Sequence, residues 1–197
     1  MQISFSKKPL YYIYILCIFS VIILYAFQNN DRYRWSIKTL TDPIGISLLH
    51  KHAEQTDIQN LVKIKKPGKK LLGNNRSQPE KRKVTVDAQI IGMAKEKDGD
   101  FHLIIRSQNT LDTMIAEIPN PDDETLSNHS LLKSLYSNAR NFISNEIYYP
   151  KKKVTYLRQP LQVSITGFLF FDKKNHGKGH AKNSIEIHPV LAIEKNK

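Results

Sequence analysis

VTVDAQIIGMA (residues 84–94), followed by KEKDGD (95–100) and FHLIIR (101–106), is the stretch that decides the fold. Val84, Val86, Ala88 and Ile90 alternate with Thr85, Asp87 and Gln89, the period-two pattern of a strand that buries one face. The phase breaks at Gly92, which suits a bulge in a long, curved strand. Asp98-Gly99 carries a tight-turn signal. Beyond it, Phe101, Leu103 and Ile105 oppose His102, Ile104 and Arg106. The passage therefore reads as two antiparallel strands.

Working outward, TMIAEI (113–118) predicts a third strand, with Met114, Ala116 and Ile118 opposing Ile115 and Glu117. Over 130–150 the period changes. Leu131, Leu132, Leu135, Ala139, Phe142, Ile143 and Ile147 recur at spacings of three and four, an amphipathic helix stopped before Pro150. LQVSITGFLFF (161–171) and SIEIHPVLAI (184–193) predict two more strands. Three strands, a helix and two strands is the element order of the OB-fold, a small Greek-key barrel. The expected fold is mainly β (β-rich α+β), an OB-like five-stranded barrel spanning 84–197.

Upstream, residues 9–27 carry no charge over nineteen positions, long enough as a helix to cross about 30 Å of hydrocarbon. They predict a transmembrane signal anchor after a short tail, 1–8. A cleaved signal peptide is the competing reading, because Lys7 and Lys8 precede the run, but the exit YAFQNN lacks a small-x-small pattern. Lys7 and Lys8 face Arg32, Arg34 and Lys38 across the run, so the charge rule does not decide orientation. The usual signal-anchor plan places the C-terminal domain outside the cytoplasm, on an inner or cytoplasmic membrane. Tyr25, Tyr33 and Trp35 would be interfacial aromatics at the exit. The lone cysteine, Cys17, lies inside the run, so the remainder of the chain has no disulfide.

Residues 28–83 then read as a juxtamembrane segment and a basic linker, with 47–61 a short helix. Residues 61–83 hold nine Lys or Arg against Glu80 alone, +8 of the chain's +12. Such a run is a solvated tether or an attachment to anionic lipid or another polyanion.

OB-folds bind ligands on strands 2 and 3, between the loops that join strands 1–2 and 4–5. Those loops are KEKDGD and DKKNHGKGHAKNS (172–184) here, which puts Asp98, Asp100, His176 and His180 on one rim. Alternation adds His102, Glu117, Glu186 and His188 on the non-core faces of their strands. These four offer imidazole and carboxylate ligands of the kind zinc or another divalent ion accepts. Ordinary alternation also produces Glu-x-His, and the chain has no compact metal signature such as HExxH. Asp98-Gly99-Asp100 is explained as a turn before it is explained as a calcium or magnesium site. IYYPKKKVTYLRQ (147–159) interleaves aromatic and basic residues in the manner of a base- or sugar-stacking surface, with a helix end and surface loop as the plainer reading.

WSIKTLTDP (35–43), DGDFHLII (98–105), TMIAEIPNP (113–121), Ala139-Arg140, and TGFLFFD followed by HG and NSIEIHPV (166–190) resemble an uncharacterised bacterial protein family with no assigned reaction. The resemblance implies that the HG loop and the IE-x-HP strand are signature elements. Relatives in that family often carry a Cys where Asp122 stands. A lesser similarity is to the thermonuclease family, also OB-like, through Asp98, Gly99, Asp100 and Pro119. The arginine that family has near the third strand is absent, with Thr113 and Met114 in the region, which argues against phosphodiester cleavage.

The function these features imply is a membrane-anchored, extracytoplasmic binding or interaction domain with no catalysis of its own and no cofactor. A protein or saccharide is the expected ligand class, and nucleic acid is disfavoured outside the cytoplasm. The alternative is a divalent-metal-dependent hydrolase, with a nuclease among the candidates, using Asp98, Asp100, Glu117, His176, Glu186 and His188.

Overall fold

The computed structural model describes residues 16–18, 34–68, 75–173 and 177–196. The chain divides into two compact units, Met1–Tyr33 and Arg34–Lys197. In the first, the three described residues are helical; the rest of the apolar run 9–27 lies outside the described residues. Among the described residues no helix is long and apolar enough to cross a membrane.

The second unit runs α1 (Trp35–Lys38), α2 (Pro43–Leu48), β1 (Glu54–Thr56), α3 (Ile58–Leu61), β2 (Lys83–Lys95), β3 (Phe101–Ser107), β4 (Thr113–Ile118), α4 (Ser130–Glu146), β5 (Thr155–Phe171) and β6 (Ile185–Lys195). One six-stranded sheet has the order β1-β2-β3-β4-β6-β5, and β5 pairs back onto β2, so five strands form a closed ring. All the ring's pairings are antiparallel except β4 with β6, where Ile115 faces Glu186 and Ala116 faces Ile187 in parallel register. β1 adds in parallel along the start of β2.

The long strands curve where the alternation breaks. The register of β2 against both β3 and β5 shifts between Ile90 and Gly92, the bulge the sequence phase indicates. β5 starts earlier than expected, at Thr155, and its extra half pairs at Tyr156 with Gly92. Pro160 interrupts it where no ladder partner is needed. Val84, Val86, Phe101, Leu103, Met114, Ala116, Ile165, Leu169, Ile185 and Ile187 share one buried apolar core. The fold is β-rich and barrel-like.

Four expectations need correction. The compact unit begins at Arg34 rather than at 84. Described residues 75–83 are no tether: Arg76 is buried, its guanidinium bonding the Asp42 carboxylate at 2.7 Å and the carbonyls of Ile37 (2.9 Å) and Glu80 (3.0 Å). Arg82 pairs with Glu54 at 2.8 Å. Two of the cations in 75–83 are thus met in space by acids distant in sequence. Residues 47–61 hold the end of α2, the strand β1 and α3 rather than one helix. Trp35 is no interfacial aromatic, being buried with its indole N–H donated to Asp123 at 3.2 Å.

The helix α4 forms where periodicity places it but rolls slightly. Leu131 is exposed, while Tyr136 and Arg140 are buried. Both polar tips find partners: Tyr136 Oη donates to the Thr39 carbonyl at 2.8 Å, and Arg140 Nη1 to the Gly99 carbonyl at 3.0 Å.

Candidate metal centre

Alternation correctly assigns the faces of β3, β4 and β6. His102 sits opposite Glu117, and Ile115 opposite Glu186, all on the side away from the core. That side is nevertheless buried. His102, Glu117, Glu186 and His188 are each less than a tenth exposed. Two segments cover them. From α1, the guanidinium of Arg34 and the ammonium of Lys38 lie 5.1 and 5.4 Å from the Phe170 ring centre. From the loop before β6, Gly179 packs on Ile104 and the His180 ring lies tilted 5.6 Å from that of His102. Gly179 has φ +93 and a Cβ there would fall 2.5 Å from Ile104, so only glycine allows this approach.

The turn 96–100 delivers the third side. Gly99 takes φ +95, and Asp98 accepts the Asp100 amide at 3.1 Å. Asp100 Oδ1 accepts the Asn120 amide at 2.7 Å, which fixes the carboxylate, while Oδ2 points 3.5 Å from His188 Nε2. The turn reading of these residues is right, and Asp100 belongs to the cluster as well.

At the centre, Glu117 is held from two sides. His102 Nδ1 contacts Oε1 at 2.8 Å and His188 Nδ1 lies 2.9 Å from Oε2. One ligand atom each from Asp100, Glu117 and His188 lies within 4.8 Å of the others. The His188 ring is fully buried, yet neither of its nitrogens completes a hydrogen bond, nor do Asp100 Oδ2 and Glu186 Oε2. Buried polar atoms are almost always satisfied. Four unsatisfied atoms converge here, with 3.5 Å between His188 Nε2 and Asp100 Oδ2 and 4.0 Å between His188 Nδ1 and Glu186 Oε2.

The electrostatics tie the same residues to one another, and a cation entering there would have to displace the proton that His188 holds. Burial by itself would raise the Glu117 carboxyl, but His188 and His102 outweigh it and hold Glu117 well below the usual range. Glu186 goes the other way: burial, and then repulsion from Glu117, push it well above. Burial would lower His188, but Glu117 and a contact with Asp100 raise it to about 9. Asp98, desolvated and beside Asp100, is pushed up to about 6. Lys38 is desolvated too, yet Glu117, Glu186, Asp172 and Asp100 hold its ammonium above the ordinary value.

The structure therefore brings together Asp100, His102, Glu117, Glu186 and His188. His180 joins them, 3.7 Å from Glu186, and Asp98 stands at the edge. His176 lies outside the described residues. Lys38 is the member that strand and loop patterns do not reveal. Its only sequence signal is its place in WSIK, beside the chain's one tryptophan.

As a metal centre the donor set is coherent. Around a tetrahedral ion with bonds of about 2.0–2.1 Å, donors stand about 3.3 Å apart, so atoms within 4.8 Å need only small side-chain rotations to converge. His102 on Glu117 would then be the outer partner that orients the carboxylate. No protein-family model matches the chain, and no curated protein matches it at a significant level.

Proposed function

We propose that this protein is an OB-like barrel that holds a divalent cation on its outer face, tethered to a membrane by residues 9–27 with the barrel outside the cytoplasm. Asp100, Glu117 and His188 are the ligands, His102 orients Glu117, and Glu186 and His180 border the ion. One imidazole and two carboxylates suit zinc first among the common ions.

The observation that carries the reading is His188, fully buried with its two ring nitrogens aimed at the Glu117 and Asp100 carboxylates and neither in hydrogen-bond geometry. Burial of Asp100 and His188 supports an ion held within the domain. The strand order supports the OB-like description: with β2 to β6 counted one to five, the ring runs 1-2-3-5-4-1.

Elemental analysis of the purified full-length chain tests the proposal. About one equivalent of zinc or another divalent metal is expected, falling below about a tenth in His188→Ala and in Glu117→Gln, and removal by chelator should lower thermal stability reversibly. A chain that purifies without metal and gains no stability when zinc, manganese or calcium is added would end the proposal.

A further inference from the structure

The cleft between α4 and the facing ends of β2 and β3 has a different chemistry. It encloses about 390 Å³ and is lined by Lys95, Phe101, Asn120, Asp122, Arg140 and Tyr149, with hydroxyl and amide side chains of α4 completing the wall. Arg140 is 9% exposed and rigidly held: its Cζ lies 3.6 Å from the centre of the Phe101 ring, and Nη1 donates to the carbonyls of Gly99 (3.0 Å) and Pro119 (3.3 Å). Lys95 Nζ donates to the Tyr149 hydroxyl at 3.0 Å. The Lys95 hydrogen bond, and with it Arg140, draws the Tyr149 phenol below its ordinary pKa.

Two cations from different elements thus line one polar cleft, Lys95 on the Tyr149 phenol oxygen and Arg140 beside it in the wall. A phenol is a modest acceptor for an ammonium beside a guanidinium, and an anionic oxygen would make shorter, charge-assisted bonds to both. The exposed run Lys151–Lys153 begins at the same mouth, because the Lys95 amide donates to the Lys151 carbonyl at 2.7 Å. That run is the basic, aromatic-flanked motif of residues 147–159. Asp122, exposed on the rim, is the acidic member of the lining.

We propose that this cleft binds a phosphate group, with Lys95 and Arg140 as its cationic partners and Tyr149 donating its hydroxyl. The phosphate arrives either free in solution or as a lipid headgroup.

Calorimetric titration of the full-length chain with inorganic phosphate, against a chloride background, separates the outcomes. Saturable binding is expected, weakened about ten- to a hundredfold by Lys95→Gln, the loss of one charge-assisted hydrogen bond. Asp122→Asn should tighten it by about two- to fivefold through removal of a like charge. Lys152→Gln, the same charge change on the exposed run, should alter it by less than about twofold. Arg140 is left in place because its carbonyl bonds are structural. If the source is lipid, vesicles of phosphatidylcholine with phosphatidic acid bind where inorganic phosphate does not, with the same dependence on Lys95 and the same indifference to Lys152. The proposal is overturned if neither probe binds, if Lys95→Gln and Lys152→Gln cost the same, or if Asp122→Asn weakens binding.

Discussion

Replacing Glu80 by alanine tests whether residues 34–83 are built into the barrel. The Glu80 carboxylate accepts from Arg34 Nη1 (2.6 Å) and Nη2 (2.8 Å), from the Ser77 amide (2.7 Å) and from the Phe171 amide at the end of β5 (3.0 Å). The two side chains are 1% and 0% exposed. Truncation strands a buried guanidinium and two amides, a loss of about 3–5 kcal/mol. With a urea slope of about 2 kcal/mol/M, the midpoint should fall by about 1.5–2.5 M. Trp35, the sole tryptophan, is buried next to Arg34, so its fluorescence reports the docking of α1. Fluorescence and far-ultraviolet circular dichroism should unfold together in the parent and in the variant. Arg34→Met with Glu80→Leu should recover most of the loss, because an apolar pair leaves no stranded charge.

The same pair carries a pH signature. Burial would raise the Glu80 carboxyl, but Arg34 and the two amides outweigh burial and lower it. A depressed folded pKa contributes stability above the unfolded value, 4.5, and loses it as pH falls through the folded value. Glu80→Ala should therefore flatten the acid limb of the stability curve below about pH 4.5. A midpoint shift under about 0.3 M, or a red-shifted Trp35 emission with an unchanged dichroism transition, would refute the reasoning by showing residues 34–83 to be a detachable arm.

Two further substitutions probe the sheet and the charge of the site. Gly167→Ala would put a Cβ 2.4 Å from the Pro189 carbonyl oxygen and 2.5 Å from Ile187 Cγ2, and backbone cannot yield as a side-chain tip does. The expected cost is about 1–3 kcal/mol, read as a fall in Tm of roughly 3–10 °C, and metal retention should drop with it because β6 carries His188; an unchanged Tm would show that β5 and β6 can separate there freely. Lys38→Met removes the cation facing Glu117, Glu186, Asp172 and Asp100. Affinity for zinc should rise on the order of a hundredfold, one charge acting on a divalent ion through an effective dielectric of about 20 across roughly 10 Å. Weaker zinc binding in this variant would make Lys38 a support of the site rather than a competitor for it.

Much of the barrel was legible because its signals are local. The pleat sends successive side chains to opposite faces whatever the tertiary fold, so the faces of His102, Glu117, Glu186 and His188 followed from their positions alone. The bulge near Gly92 announced itself as a phase break. Burial of the outward face was not legible, because its covers are α1, more than fifty residues upstream of β3, and the loop before β6. Composition misled over 75–83 for a related reason. Counting charge along the chain gives an excess, but Asp42 and Glu54, which neutralise Arg76 and Arg82, belong to another part of the sequence. The roll of α4 escaped because leucine outranks tyrosine and arginine in any apolar pattern, whereas Tyr136 and Arg140 bury long stems and satisfy their tips on backbone carbonyls.

These features make the clamp and the candidate metal centre one problem in free energy. Desolvating Asp100, Glu117, Glu186 and His188 is unfavourable unless something compensates. The barrel core cannot do so, since it lies on the other side of the same strands. What holds the cover in place is a set of polar ties between α1 and its neighbours: Arg34 to Glu80, Trp35 to Asp123, Arg76 to the Ile37 carbonyl, Tyr136 to the Thr39 carbonyl. Lys38 rides on the same short helix and brings a positive charge to the acids it covers. A divalent cation bound by those acids would compete with that ammonium for them, which is why Lys38→Met should bind zinc more tightly. The polar ties and the Lys38 charge therefore act on a single equilibrium, the docking of α1, and weakening either should loosen it.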